Sequence, residues 1–112
     1  MTIAVGNNPL AECLTESESG FELSLPESLP GELATHVADL LLAARGKPVA
    51  VDAGSVKRID TPCIQVLLSA ARCWRDDRLP MSISAQSEMF SDNLTTLGLT
   101  TAELEVGDAN HV

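Results

Sequence analysis

The sequence predicts a single α/β domain with a mixed sheet of four to five strands, covered by helices mainly on one face. Segments with the apolar spacing of helices alternate along the chain with short segments that have the spacing of strands. The 112 residues, 45% apolar and only 3% aromatic, provide for one core built from aliphatic side chains. Strands that alternate with helices are joined by right-handed crossovers, which place the helices against the sheet.

The first half of the chain contains two predicted strands with an amphipathic helix between them. Residues 21–25 alternate apolar and polar side chains, as a half-buried strand does. From Leu29 the apolar side chains follow helical spacing, and Gly46 is predicted to end that helix. Residues 49–51 are all apolar, which favours an interior strand of a mixed or parallel sheet.

The second half repeats this alternation. A helix is predicted to begin near Pro62, because proline suits the first helical turn. Residues 81–85 alternate as a strand, and residues 87–97 fit a third helix that ends at Gly98. Residues 101–106 also alternate and are predicted to form a final strand.

The two ends of the chain are expected to lie outside the main domain. Residues 1–20 are rich in turn-forming and polar residues and are predicted to be a flexible lead-in or an edge strand, with residues 1–5 as the candidate strand. Residues 21–106 form the predicted domain and residues 107–112 a tail.

The chemically most informative segment is the start of the second helix. Asp60, Thr61, Pro62 and Cys63 bring an acid, a hydroxyl and a thiol to the positive end of a helix dipole. Either Asp60 or Thr61 can cap the exposed N–H groups there, and a helix cap is the simplest role for both. Such a corner also suits a phosphate or the docking of a partner.

This arrangement resembles the STAS family, the sulphate transporter and anti-sigma factor antagonist domain. In that family a strand is followed by an Asp-Ser-Ser-Gly-type turn that opens an apolar helix, and the residue after the Asp is the regulatory phosphoacceptor. The resemblance places Thr61 at the phosphoacceptor position and Asp60 at the acid before it. Pro62 replaces the second hydroxyl residue, and Cys63 replaces the glycine.

The resemblance extends over roughly residues 21–106. Residues 23–29 and the helix after them are similar to the early strand and first helix of the family. Residues 87–99, which end in Leu97-Gly98-Leu99, resemble the signature of its last helix.

The resemblance implies a non-enzymatic, cytoplasmic bacterial module that docks on a signalling protein. The implied partner is an anti-sigma factor of the histidine-kinase-like ATPase type, or a chemotaxis-type protein, and Thr61 is the candidate phosphorylation switch. Asp60, Thr61, Pro62 and Cys63 are the candidate partner-binding residues. The alternative is a small cytoplasmic subunit of a lipid-transport ABC system, in which Thr61 is a permanent contact.

Other functional classes have less support. A thiol-redox role for Cys63 is a further alternative, because a helix dipole lowers a thiol pKa. No combination of nucleophile, base and oxyanion donor is visible, and no histidine is spaced for a metal, so neither catalysis nor a cofactor is expected. A net charge of −9 disfavours nucleic acid, and the sequence has no apolar stretch long enough to insert in a membrane. It indicates no oligomeric state.

Overall fold

The structure is a computed structural model that describes residues 8–107. In chain order its strands are β1 (Leu14–Ser17), β2 (Gly20–Ser24), β3 (Ser28–Leu29), β4 (Val49–Ala53), β5 (Arg58–Ile59) and β6 (Met81–Gln86). The helices are α1 (Ala34–Ala43), α2 (Thr61–Asp76) and α3 (Glu88–Thr96). Short 3₁₀ helices lie at Ala11–Cys13, Gly31–Leu33 and Thr101–Leu104.

Four of the strands form a mixed sheet in the spatial order β1-β2-β4-β6. Strand β1 runs antiparallel to β2, whereas β2, β4 and β6 are parallel to one another. Alternate residues of β4, including Val49 and Val51, are buried in one core with the apolar faces of the helices. Glu22 and Ser24 of β2 point away from that core and are exposed. The predicted α/β fold, with a mixed sheet covered by helices mainly on one face, is therefore confirmed.

The third helix has the boundaries that its sequence predicts. The hydroxyl of Ser87 accepts a hydrogen bond from the N–H of Phe90 at 3.1 Å, which caps the start of α3. Gly98 ends the helix with φ of +76°, and the N–H of Leu99 then reaches back to the carbonyl of Leu94 at 2.8 Å. This Schellman arrangement needs a residue that adopts positive φ without strain, which explains the glycine.

The part of the chain expected to be a lead-in contains the edge strand β1. Its hairpin with β2 closes at Gly20, which pairs with Ser17. The other candidate strand, residues 1–5, lies outside the described residues, as does most of the predicted tail.

The prediction of a final strand at residues 101–106 is wrong. The N–H of Thr100 donates to the carboxylate of Glu103 at 2.8 Å, while the Thr100 hydroxyl accepts from the N–H of Ala102 at 3.3 Å. This capping box starts a 3₁₀ helix. Only Val106 pairs as a strand residue, in an isolated antiparallel bridge to Met81.

A second, smaller sheet brings the loop before α1 against the loop before α2. Its two strands, β3 and β5, are parallel and have two residues each. The N–H of Asp60 extends this pairing by donating to the carbonyl of Leu29 at 2.9 Å. The start of the 3₁₀ helix that leads into α1 and the start of α2 are therefore held side by side. No helix within residues 8–107 is both long enough and apolar enough to cross a membrane.

Candidate functional site: the α2 corner

The site is the surface at the start of α2, formed by Arg58, Asp60, Thr61, Pro62 and, from the neighbouring loop, Gly31; we call it the α2 corner. Asp60 has the extended backbone of an N-cap residue, with φ of −85° and ψ of 155°. Its carbonyl accepts from the N–H groups of Cys63 at 3.0 Å and Ile64 at 3.4 Å. The backbone therefore turns into the helix where Pro62 predicts.

The Asp60 carboxylate does not cap its own helix, and the prediction that Asp60 or Thr61 supplies a side-chain cap is wrong. Instead, Asp60 Oδ2 accepts from the N–H of Gly31 at 2.9 Å. Arg58 donates to the same carboxylate, with Nη2 3.2 Å from Oδ2. Since Gly31 begins the 3₁₀ helix before α1, Asp60 links the start of that segment to the start of α2.

These contacts act on the charge of Asp60. The hydrogen bond from Gly31, and then the one from Arg58, lower the pKa of the Asp60 carboxyl below its ordinary value because both favour the ionised form. An acid whose pKa is lower in the folded state stabilises the fold only while it is ionised. That contribution is complete above the pKa of the unfolded chain, about 3.9, and disappears as the pH falls through the lower folded value.

We expect Asp60→Asn to unfold more easily than wild type, and the gap between the two proteins to shrink as the pH falls from about 4 through the lower pKa of folded Asp60. Urea unfolding at a series of pH values measures this gap. Asp39→Asn is the matched control, because Asp39 is an exposed acid on α1 with no hydrogen bond or ion pair to the rest of residues 8–107. A gap for Asp60→Asn that stays constant down to pH 2 would contradict the contacts described here.

Thr61 and Pro62 form the exposed part of the α2 corner. Both side chains are exposed, and the Thr61 hydroxyl makes no hydrogen bond to any other residue in the described range 8–107. The Pro62 ring lies against the neighbouring loop, since a Cβ on Gly31 would lie 3.3 Å from Pro62 Cγ. The corner therefore presents one hydroxyl and one rigid apolar ring to the solvent.

An anion at Thr61 would find few free N–H groups. Pro62 has none, and the N–H groups of Cys63 and Ile64 already bond to the Asp60 carbonyl. Within the α2 corner this leaves the N–H of Thr61 itself and the guanidinium of Arg58, which already donates to Asp60. The first turn is thus less open to a phosphate than the helix dipole alone suggests.

Cys63 does not have the reactive thiol that a helix start favours. Its side chain is only 1% exposed, and Sγ lies 3.5 Å from the carbonyl oxygen of Pro30. Burial, together with the nearby charge of Asp60, raises the pKa of the thiol. The expectation of a lowered pKa is therefore wrong, and of the four candidate partner-binding residues only Asp60, Thr61 and Pro62 reach the surface.

Two residues of the corner were missed by sequence reasoning. Arg58 precedes Asp60 by two positions, and this spacing in a short strand places both side chains on the same side. Gly31 has no comparable signal, because it is 29 positions away from Asp60 and meets it only through the pairing of β3 with β5.

The corner contains no arrangement typical of metal or disulfide chemistry. Within residues 8–107 no three His, Cys, Asp or Glu side chains lie close enough together to hold a metal ion. Cys13, Cys63 and Cys73 are all free thiols. The residues of the α2 corner can present hydrogen-bonding and apolar atoms on a backbone held by hydrogen bonds.

Comparison with known proteins identifies the family. No curated protein and no solved structure matched the chain. A family model described as "Mlab, STAS domain" matches residues 15–106, which is most of the chain and includes the whole α2 corner. STAS domains are in general regulatory, protein-binding modules and not catalysts. By this match the chain belongs to the STAS domain family, in the branch that the Mlab model describes.

Proposed function

We propose that this protein is a non-catalytic regulatory module that binds a protein partner through the α2 corner. The observation that carries the proposal is the state of Thr61, which is exposed and makes no hydrogen bond within residues 8–107 although the backbone around it is fixed. An exposed side chain on a backbone held by hydrogen bonds loses little conformational freedom when a partner packs against it. The STAS family match supports the same function.

We further propose that Thr61 is a phosphorylation switch for that partner, which would be an anti-sigma factor, its kinase or a chemotaxis-type protein. A phosphate adds roughly −1.5 to −2 charges. Arg58 is the only basic residue of the α2 corner, but its guanidinium already donates to the Asp60 carboxylate at 3.2 Å. A partner packed over the corner would have to desolvate the new charge beside Asp60, so phosphorylation should release it.

A second candidate is a permanent subunit of a lipid-transport ABC system, in which Thr61 is a constant contact. The exposed ring of Pro62 favours it, because proline stands where the family's phosphorylated turn has a second hydroxyl residue. The match to the Mlab model favours it as well. In both candidates the protein works in the bacterial cytoplasm, which suits its three free thiols.

Affinity purification with the immobilised protein, from extracts of its native cytoplasm and membranes, distinguishes the two candidates. Immobilised wild type should retain a partner that Thr61→Glu does not retain. Thr96→Glu is the control, because it places the same charge at an exposed position on α3. An anti-sigma-type kinase that phosphorylates wild type but not Thr61→Ala supports the switch. A membrane ATPase in stoichiometric amount supports the transport subunit.

Both candidate functions require the partner to bind at the α2 corner. If Thr61→Glu retains the same proteins as wild type and Thr96→Glu, the partner does not bind at the α2 corner and the proposed function is wrong.

A further inference from the structure

Three exposed arginines lie at the end of α2: Arg72, Arg75 and Arg78, which we call the arginine patch. Arg72 and Arg75 are three positions apart on the helix, so their side chains are neighbours on its surface, and Arg78 follows just after the helix ends. The chain has only seven Lys and Arg residues, so the patch concentrates positive charge in an acidic protein. A favourable interaction with the helix dipole is the simplest role for Arg72 and Arg75, but it does not explain Arg78.

The arginine patch has no direct acidic contact among residues 8–107, because none of its side chains forms a hydrogen bond or an ion pair there. The two acids at the same end of α2, Asp76 and Asp77, act on Arg45 instead. Arg45 donates two hydrogen bonds to Asp77, at 2.9 and 3.0 Å. This contact, with a smaller contribution from the charge of Asp76, raises the pKa of Arg45.

The elements beside α2 also leave the patch unpaired. They are α1 and the 3₁₀ helices Gly31–Leu33 and Thr101–Leu104, which carry the acids Asp39, Glu32 and Glu103. Glu103 accepts the hydrogen bonds from the N–H and the hydroxyl of Thr100, and none of the three acids forms an ion pair within the described range. The three guanidinium groups of the patch are therefore open to an acid from outside the chain.

Arg78 has a backbone conformation that favours glycine. Its φ is +59°, and no other non-glycine residue within residues 8–107 has a positive φ. The N–H of Leu79 donates to the carbonyl of Trp74 at 2.9 Å, so Arg78 occupies the position at which glycine commonly ends a helix. A side chain at this φ costs stability that glycine would not. Strain of this kind is concentrated at binding and functional sites, which points to a use for the Arg78 side chain.

We infer that the arginine patch binds an acidic segment of the partner that docks at the α2 corner. The inference rests on the proposed function, because it names a second contact of the same partner. Thr61 and Arg72 are both exposed and lie three turns apart on the same face of α2, a distance of about 16 Å. A partner that lies along this face reaches both. Guanidinium groups bind carboxylates through paired hydrogen bonds, which the patch can offer without breaking a contact of its own.

Charge favours a protein segment over nucleic acid or an anionic lipid surface. Those surfaces are wide, so they would also meet the acids that give the chain its net charge of −9. A short segment with a few carboxylates covers only the patch, which extends over residues 72–78. A second copy of this chain would bring the same net charge of −9 and is disfavoured for the same reason.

The probe is a short synthetic peptide rich in glutamate, and its counterpart has glutamine in place of every glutamate. Binding to the full protein is measured at about 0.15 M salt, where exposed charges more than about 8 Å apart are largely screened. The glutamate peptide should bind wild type, whereas the glutamine peptide and vesicles of anionic lipid should not. Equal binding of the two peptides, or binding of the vesicles through the arginine patch, would overturn the inference.

Arg78→Gly separates binding from stability. It removes one charge and relieves the backbone strain, so it should melt at or above the wild-type temperature but bind the glutamate peptide about two- to fivefold more weakly. Arg72→Gln combined with Arg75→Gln should weaken binding about fivefold or more. Lys57→Gln is the matched control, because it removes a positive charge elsewhere, from a side chain that is 74% exposed and 3.7 Å from Glu27. It should bind the peptide as wild type does.

Equal affinity of the glutamate peptide for wild type, Arg78→Gly and the double variant would overturn the inference. So would an equal loss of affinity in Lys57→Gln, since the peptide would then sense only the total charge. Thr61→Glu should bind the peptide as wild type does, because its charge lies about 16 Å from Arg72. None of the results that overturn the inference touches the proposed function, which fails only if Thr61→Glu retains the partner.

Discussion

Replacing Leu67 with alanine is expected to lower the free energy of unfolding by about 2 to 5 kcal/mol. Leu67 lies in the middle of α2 and is 1% exposed within the core between the helices and the sheet. Removing most of its side chain leaves a cavity that the packed surroundings can fill only in part. A domain of this size has about 5 to 15 kcal/mol in total, so the loss is a large fraction of it.

Thermal or urea unfolding measures this loss, which should lower the melting temperature by roughly 10 °C or more. Leu42→Ala is the matched control, because it removes the same atoms from an exposed position on α1 and should change stability by only about 0.5 kcal/mol. A wild-type melting temperature for Leu67→Ala would mean that α2 turns another face to the sheet.

Replacing Gly20 with alanine should also be severely destabilising, by about 2 to 4 kcal/mol. Gly20 has φ of +149°, and a Cβ there would lie 2.3 Å from the carbonyl oxygen of Pro48. That oxygen also accepts the hydrogen bond from the N–H of Phe21 at 2.8 Å, so moving it disturbs the pairing between β2 and β4.

Gly46→Ala separates the steric clash with Pro48 from the backbone strain of a positive φ. Gly46 also has positive φ, at +101°, but a Cβ there would meet no atom within 4 Å. It should therefore show only the backbone strain, about 1 to 2 kcal/mol. If the two variants unfold at the same urea concentration, β2 does not approach Pro48 as closely as described.

Local signals in the sequence were enough to predict most of the fold. Helix α2 begins where Pro62 predicts, and α3 begins and ends where Ser87 and Gly98 predict, because caps and turns depend on neighbouring residues. The wrong strand at residues 101–106 could have been avoided from the local sequence, since the spacing of Thr100 and Glu103 is that of a capping box, which predicts a helix start. In that segment the alternating pattern was wrongly given more weight.

The features that sequence reasoning missed depend on contacts between distant parts of the chain. Strands β3 and β5 have two residues each, too few for any periodic pattern. Their pairing brings Gly31 to Asp60, so the use of the Asp60 carboxylate could not be predicted from the residues around it. The same pairing buries Cys63 beneath the carbonyl of Pro30, which removes the reactive thiol that a helix start suggests.

The central claim is that the α2 corner is the docking surface, and a titration of the purified partner tests it most directly. Thr61→Glu should bind at least about tenfold more weakly than wild type, because its charge must be desolvated beside Asp60. Thr61→Ala and Thr96→Glu should bind nearly as wild type does. Circular dichroism and melting should be nearly the same for all four proteins, since Thr61 is exposed. Equal affinity of folded Thr61→Glu and wild type would contradict the account and leave Thr61 as an ordinary surface residue at the start of a helix.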